Sequence, residues 1–174
     1  MSKTNIAEEP SRGAGRAPLI IGMISAIALG LTALYVWPSA PKALTNVSVV
    51  VYKTPTCGCC GDWVAHLEEA GLEVRVVNVE STQAMRAQAG VPNALGSCHT
   101  AVVGDYFVEG HVPADLIQAL MTSKPDNLRG IAVPGMPVGS PGMEGPNPVE
   151  YDVLAYDEDG RTFVYATRQG ASSK

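Results

Sequence analysis

The sequence is poor in cysteine, in aromatic residues and, over most of its length, in positive charge. Only four of its 174 residues are cysteines, and aromatic residues make up 6%. From Pro38 onward, nine lysines and arginines stand against fifteen aspartates and glutamates, a net charge of −6. This balance argues against nucleic acid or an anionic lipid surface as a partner. A core with few aromatics must rest on valine, leucine, isoleucine and alanine.

One long apolar run stands near the start of the chain. Residues 17–37, APLIIGMISAIALGLTALYVW, carry no charge. A helix rises about 1.5 Å per residue, so this run can span the roughly 30 Å hydrocarbon core of a bilayer. A cleavable signal peptide is the alternative, but its apolar core is usually about 7–15 residues long. We therefore predict an uncleaved transmembrane anchor.

The charges around the anchor predict its orientation. Lys3, Arg12 and Arg16 precede it, and positive flanks stay in the cytoplasm. The sequence thus predicts a cytoplasmic tail at 1–16, a linker at 38–46 and, in a bacterium, a main domain in the periplasm. The protein would be a single-pass protein of the inner membrane.

The main domain is predicted over residues 47–168, with a tail at 169–174. Its apolar pattern indicates the order β-α-β-α-β-β-α, and a cysteine motif stands where the first helix begins. This order predicts an α/β, thioredoxin-like domain, to which the last two strands add a C-terminal hairpin. The predicted elements are strand 47–52, helix 57–70, strand 72–79, helix 81–89, strands 100–103 and 106–109, helix 113–121, and strands 151–156 and 162–167.

A stretch rich in proline and glycine separates the predicted last helix from the final hairpin. Ten of the 19 residues at 130–148 are glycine or proline, so we expect an ordered loop without regular secondary structure. The loop carries Met136 and Met143, yet it has no helical or strand face on which to bury them. Thioethers ligate Cu(I) and interact poorly with zinc, so both methionines are candidate copper ligands.

All four cysteines stand in two short motifs. Cys57, Cys59 and Cys60 lie in TCGCCG, and Cys98 lies in SCHT. Thiolate is favoured at a helix N-terminus, and thiolates are soft ligands that prefer Cu(I), zinc or iron–sulfur clusters. Cys57 and Cys60 can face one space, whereas dithiol chemistry alone does not explain Cys59. In a thioredoxin-like fold, Cys98 would lie beside the first motif and add a fourth sulfur.

The three histidines give weaker signals. His99 could add a nitrogen ligand, but a single histidine is more often a hydrogen-bonded structural residue, and the same holds for His111. His66 falls off the apolar face of its predicted helix and is expected at the solvated surface.

Three alternatives to a metal site remain at this point. The cysteines could form two disulfides that stabilise an exported domain, although their clustering would close only very small loops. Cys57 and Cys60 could be the attacking and resolving thiols of a metal-free thiol–disulfide oxidoreductase. The chain could also be a non-catalytic scaffold for a partner such as an efflux pump.

The motifs together resemble a known family. C-x-C-C after a strand, then S-C-H-T, E-G-H-V-P and V-P-G-M-P-x-G-S-P-G-M-E, stand in the order typical of the CopG-type copper-handling family, and the likeness covers residues 47–167. The resemblance implies a thioredoxin-like fold, periplasmic work in copper resistance, a multinuclear Cu(I) site and redox activity on copper. The residues that match the family's metal-binding positions are Cys57, Cys59, Cys60, Cys98, Met136 and Met143.

The sequence therefore predicts a membrane-anchored, periplasmic copper-binding protein with copper as its cofactor. Whether it is a copper oxidoreductase or only sequesters the ion stays open. The expected partners are copper ions, the membrane through residues 17–37, and other periplasmic copper-handling or efflux proteins. The anchor departs from the family pattern, in which a cleaved export signal is expected.

Overall fold

A computed structural model of the protein describes residues 48–172. The predicted cytoplasmic tail, transmembrane anchor and linker (1–16, 17–37 and 38–46) lie outside the described residues, as do residues 173–174 of the predicted tail. Within the part of the chain that is described, no helix has both the length and the apolar character needed to cross a membrane.

The described residues form a mixed α/β domain with seven strands, three α-helices and one 3₁₀ turn. The nine predicted elements occur in the predicted order, with bounds within two residues of the observed ones, whereas the strand at 128–132 and the 3₁₀ turn are not predicted from the sequence. The elements are β1 (Ser48–Lys53), α1 (Gly58–Glu69), β2 (Glu73–Asn78), α2 (Thr82–Gln88), the 3₁₀ turn (Asn93–Leu95), β3 (Thr100–Val103), β4 (Tyr106–Glu109), α3 (Ala114–Ser123), β5 (Leu128–Ala132), β6 (Glu150–Asp157) and β7 (Thr162–Gln169).

All seven strands join one sheet in the order β2-β1-β3-β4-β5-β6-β7. Strand β1 runs parallel to β2 and antiparallel to β3, and β4 runs parallel to β5. The predicted C-terminal hairpin, β6 and β7, extends this sheet through β5. The start of β3 lies against the end of β1, since Thr100 pairs with Tyr52. This pairing brings the chain before β3 close to the start of α1.

Helices α1 and α3 cover one face of the sheet. On α1, Cys60, Trp63, Val64 and Leu67 recur at helical spacing and are buried, as the sequence predicts. The Trp63 indole Nε1 donates a hydrogen bond of 2.9 Å to the Val112 carbonyl, so the ring is buried without an unsatisfied polar group. The other face of the sheet carries α2 and a smaller apolar cluster.

The sequence predicts a loop at 130–148, but the loop of the structure begins later, at residue 133. Strand β5 takes in Gly130, Ile131 and Ala132, where the sequence predicts no regular element. A Cβ atom at Gly130 would collide with the ring and carbonyl of Phe107 on β4, so glycine at this position allows the two strands to approach. The glycine that suggests a loop is thus a packing requirement of the sheet. Residues 133–148 carry no regular element, as predicted.

Candidate metal centre

Three of the four cysteines stand at the N-terminus of α1. Cys57 occupies the N-cap position in an extended conformation, and the helix begins at Gly58. A disulfide joins Cys57 to Cys60, whose Cα atoms are 5.4 Å apart. Cys59 keeps a free, half-buried thiol, and its Sγ lies 3.7 Å from the Cys57 Sγ. One turn of helix therefore presents three sulfurs to one region.

The fourth cysteine reaches the same region from the other motif. Cys98 stands two residues before β3, and its carbonyl oxygen lies 3.9 Å from the Cys60 Sγ. The four sulfur atoms of Cys57, Cys59, Cys60 and Cys98 all lie within 4.8 Å of one another. The structure thus brings together the two cysteine motifs, which are 38 residues apart along the chain. Metal ligation by these residues stays a prediction.

Of the two alternatives that involve disulfides, the thiol–disulfide oxidoreductase matches this pairing and the pair of stabilising disulfides does not. Cys59 and Cys98 are free thiols, so the hypothesis of two stabilising disulfides is wrong. The Cys57–Cys60 disulfide is the pair that a dithiol enzyme would use.

Two histidines complete a second group of donor atoms around Cys98. The Cys98 Sγ lies 3.0 Å from the His111 Nε2 and 3.3 Å from the His99 Nδ1. Both imidazoles are fully buried. A hydrogen-bonded structural role is the expectation from the sequence for both histidines, and the signal for a place at this site is their position along the chain. His99 adjoins Cys98, and His111 follows β4, which pairs with β3.

Burial shifts the protonation of this group. Burial first, and then the neighbouring Cys59, raise the pKa of the Cys98 thiol to about 11, whereas the Ser97 hydroxyl opposes the change. The pKa of His99 is lowered to about 3, first by burial and then by His111, and burial likewise lowers the pKa of His111. At neutral pH both imidazoles are therefore neutral, as a metal ligand must be, while Cys98 must lose a proton to bind a metal.

The third histidine differs from its prediction. His66 is half-buried, and its Nε2 accepts a hydrogen bond of 3.1 Å from the backbone N–H of Ala114, the first residue of α3. It therefore satisfies one of the unpaired N–H groups at the start of α3. The expectation of a solvated surface residue is wrong, because packing of α3 against α1 places this ring at the junction.

The glycine- and proline-rich loop contacts both cysteine motifs. Near its start, the Gly135 N–H donates to the Gly96 carbonyl over 3.3 Å, and the Ser97 hydroxyl donates to the Gly135 carbonyl. Further along, Gly142 lies very close to α1. An added Cβ atom there would stand 2.8 Å from the Cys59 carbonyl oxygen and 2.6 Å from the Trp63 backbone nitrogen. Each contacting glycine immediately precedes one of the two methionines of the loop.

The two methionines differ in their exposure. Met136 is 54% exposed and Met143 is partly buried. The loop anchors therefore place both methionine backbones beside the cysteine motifs. Their ligand role stays a prediction.

A buried ion pair that is not predicted from the sequence holds the Cys98 segment. The fully buried Glu109 carboxylate accepts hydrogen bonds from the Ser97 N–H at 2.7 Å, the Thr100 hydroxyl at 2.6 Å and the Arg86 Nε at 2.8 Å. Arg86 also donates through Nη2 to the Ser97 carbonyl, 2.5 Å away. Residues on both sides of Cys98 are thus fixed from α2 and β4. We call Arg86 and Glu109 the clamp.

The donor set suits a soft metal ion. Four cysteine sulfurs, two of them free thiols and two in the disulfide, converge with two imidazole nitrogens, and neither of the two donor groups includes a carboxylate. Thiolates select Cu(I) and zinc, imidazoles accept copper or zinc, and hard cations prefer oxygen. The residues present therefore fit a copper ion.

Part of the chain matches a known family model. Residues 95–143 match the family model described as "Protein of unknown function, DUF411". A search of curated proteins found no match. Residues 95–143 include Cys98, both buried histidines and both loop methionines.

Two solved structures are similar over nearly their whole length. Both are titled copper resistance protein copG, one as form 1 and one as form 2. The chain is 43% identical to form 1 and 42% identical to form 2. Each comparison has a TM-score of 0.66 and covers 71% of this chain and 98% of the solved one. The chain therefore belongs to the CopG family of copper resistance proteins.

Proposed function

We propose that this protein is a periplasmic, membrane-anchored copper-binding protein of copper resistance that holds Cu(I) through Cys57, Cys59, Cys60 and Cys98. One observation carries the proposal: four sulfurs from two separate motifs lie within 4.8 Å of one another. Because Cys59 and Cys98 are free while Cys57 and Cys60 are joined, reduction of the disulfide makes all four thiolates available. Four thiolates can bridge more than one Cu(I), as a multinuclear site requires.

Copper is favoured over zinc by the neighbouring loop. Met136 and Met143 are thioether donors, which ligate Cu(I) and suit zinc poorly. Gly142 packs against the Cys59 carbonyl, so the loop that carries both methionines is anchored at the sulfur site. In our proposal the two side chains close the copper site from the loop side.

The disulfide supports redox activity on copper. When Cys57 and Cys60 are thiols, they can release two electrons and two protons and form the disulfide. Two Cu(II) ions can each accept one of these electrons and become Cu(I). In this proposal the protein is a copper oxidoreductase whose cysteine pair stores the two electrons, and the same balance holds in reverse.

The fold of the domain and the cellular location of the protein are supported by separate observations. The parallel β1–β2 pair, the antiparallel β3–β4 hairpin and the cysteine motif at the start of α1 support a thioredoxin-like core. The apolar run at 17–37 and its positive flank support a membrane anchor with the domain in the periplasm. An oxidising compartment is also where a disulfide persists.

A second candidate function is favoured by the disulfide itself. A metal-free thiol–disulfide oxidoreductase would use Cys57 to attack a substrate disulfide and Cys60 to resolve it. It has no need of Cys59, of Cys98 or of the methionine loop. The two functions therefore differ in which substitutions abolish them.

The test is copper retention by the full-length chain. The protein is purified in detergent, reduced, loaded anaerobically with Cu(I) and dialysed against a strong Cu(I) chelator. We expect at least one copper to remain per chain, and less in Cys98→Ser. Retention of less than one copper by the wild-type chain, together with insulin-reductase activity that survives Cys98→Ser, would establish the second candidate instead.

A further inference from the structure

Lys53, the last residue of β1, is a buried lysine beside the candidate metal centre. The buried residues of the strand are Val49, Val51 and Lys53, so their side chains all lie on the face of the sheet that α1 covers. Only 8% of Lys53 is exposed. A lysine is almost never buried to this extent unless an opposite charge lies beside it. The function proposed above gives Lys53 no part.

The described residues supply no opposite charge to Lys53. None of the ion pairs among residues 48–172 includes it. Its Nζ donates a hydrogen bond of 2.9 Å to the Thr54 carbonyl, which carries no net charge. An ammonium group has three donors, and a single bond to a carbonyl leaves its positive charge uncompensated.

The Thr54 carbonyl connects Lys53 to the first cysteine motif. The same oxygen accepts a hydrogen bond of 3.2 Å from the Cys57 N–H. The Lys53 Nζ and the Cys57 nitrogen can therefore be no further apart than the sum of these two distances. Because Cys57 is the N-cap of α1, the ammonium lies at the N-terminal end of that helix.

The second cysteine motif approaches Lys53 from the neighbouring strand. The next positions past the last pair of the antiparallel β1–β3 ladder are Lys53 and His99, the residue after Cys98. The His99 ring packs on the Trp63 ring of α1, so it lies on the same face of the sheet as Lys53. Burial, then His111 and then Lys53 lower the pKa of His99, which agrees with this placement.

Two sources of positive potential meet at this point. A helix N-terminus is the positive end of the helix dipole, and the first turn of α1 has no acidic residue. A cation at a helix N-terminus is destabilised, whereas an anion at the same place is stabilised. The metal-free, disulfide-bonded protein thus holds Lys53 in an unfavourable position that a nearby anion would improve.

The cysteines become such an anion when they are reduced and loaded with copper. Each cysteine binds a metal as thiolate, so the four-cysteine group would carry four negative charges. One, two or three Cu(I) ions leave part of this charge uncompensated. The copper-loaded site is therefore anionic and lies at the end of the helix that Lys53 adjoins.

We propose that Lys53 is a positioning residue of the copper site, whose ammonium offsets the negative charge of the copper-bound thiolates without binding the ion itself. The inference rests on the proposed function, because the anion is the copper–thiolate group. It explains why a lysine is buried where the metal-free protein offers it only a carbonyl.

The experiment removes the charge and keeps the length of the side chain. Lys53→Met is prepared in the full-length chain in detergent, reduced and loaded anaerobically with Cu(I), and its Cu(I) affinity is measured by chelator competition. We expect an affinity at least about tenfold below that of the wild type, because the thiolates lack their cation. Lys53→Arg keeps the charge and should restore most of the affinity.

The matched control is Arg75→Met on the neighbouring strand β2. It changes the net charge by the same amount, but Arg75 is exposed and pairs with Val50, on the face of the sheet away from α1. Its loss should change the Cu(I) affinity by less than about threefold.

Thermal unfolding of the metal-free, oxidised chain separates this role from a structural one. In that state Lys53 has no anion, so Lys53→Met should leave the Tm unchanged or raise it while it lowers the copper affinity. A lysine that only supports the fold would lower both when it is replaced. If Lys53→Met does not fold, Lys53→Gln takes its place in both measurements.

The outcomes distinguish this inference from the proposed function. An unchanged copper affinity in Lys53→Met, or an equal loss in Lys53→Met and Arg75→Met, overturns the inference and leaves the four-cysteine site standing. A joint fall of Tm and copper affinity that Lys53→Arg does not reverse overturns it as well. Absence of copper binding by the reduced wild-type chain overturns both the inference and the proposed function.

Discussion

Cys59 is the residue that separates the two candidate functions. A dithiol enzyme needs only the Cys57–Cys60 pair, whereas a copper site gains a third thiolate from Cys59, whose Sγ lies 3.7 Å from that of Cys57. We predict that Cys59→Ser lowers the Cu(I) affinity at least tenfold and leaves the Cys57–Cys60 disulfide intact. A chelator competition and a thiol count check the two halves of this prediction. Unchanged copper affinity in Cys59→Ser would support the dithiol enzyme.

The loop methionines give a second prediction at the residue scale. Leucine keeps most of the apolar volume of methionine but offers no sulfur. Met143→Leu and Met136→Leu should each weaken Cu(I) binding by up to about tenfold, which is ~1.4 kcal/mol of binding free energy. Thermal unfolding of the metal-free protein should hardly change.

Met121→Leu is the matched control for these substitutions. Met121 packs against the main core from α3, so its replacement should leave copper affinity as it was. Equal copper affinities for all three variants would remove the loop methionines from the site.

Among the elements, the loop and α1 meet at Gly142, and this contact can be broken selectively. Gly142 has a φ of +77°, and an added Cβ atom would lie 2.6 Å from the Trp63 backbone nitrogen. Gly142→Ala should therefore push the loop from α1, lower stability and weaken copper binding. Gly135→Ala is the control, because φ there is +69 but nothing lies within 4 Å of the added Cβ. That variant should show only the strain, about 1–2 kcal/mol, in urea unfolding. Equal effects of the two substitutions on copper binding would contradict the account.

The clamp gives the other prediction at this scale. Arg86→Met leaves the buried Glu109 carboxylate without its charged partner, so we expect a loss of about 3 kcal/mol in the free energy of unfolding, measured with urea. Copper affinity should fall about tenfold, because the Cys98 segment is no longer fixed. The control is Arg129→Met, whose ion pair with Glu158 is exposed and 3.9 Å long; it should cost less than about 1 kcal/mol. A similar loss in both variants would show that the clamp has no special role.

The elements also show where sequence reasoning succeeds. Strands β3 and β4 and helix α1 follow from local apolar spacing, and the observed bounds agree closely with the predicted ones. Strand β5 could not be found in this way, because Gly130 is required by the Phe107 ring on a different strand. The residues of the candidate metal centre also fall into those that the sequence indicates and those that it does not. Cys57, Cys59 and Cys60 are adjacent in sequence, whereas the approach of His111 to Cys98 depends on the pairing of β3 with β4.

At the scale of the whole molecule, the sequence predicts that the domain lies outside the cytoplasm on a membrane anchor. We expect the full-length chain to stay in the membrane fraction after carbonate extraction, and the domain to be cleaved by protease added to spheroplasts. A chain that leaves the membrane in carbonate would contradict the anchor. Cleavage only after lysis would contradict the periplasmic location.

In the proposed function, sulfurs from both cysteine motifs bind the same copper. Copper X-ray absorption of the reduced, Cu(I)-loaded full-length protein tests this arrangement, with Cys98→Ser measured beside the wild type. We predict that sulfur dominates the first coordination shell and that the sulfur count per copper falls in Cys98→Ser. A shell without sulfur, or the same spectrum for both proteins, would contradict the account.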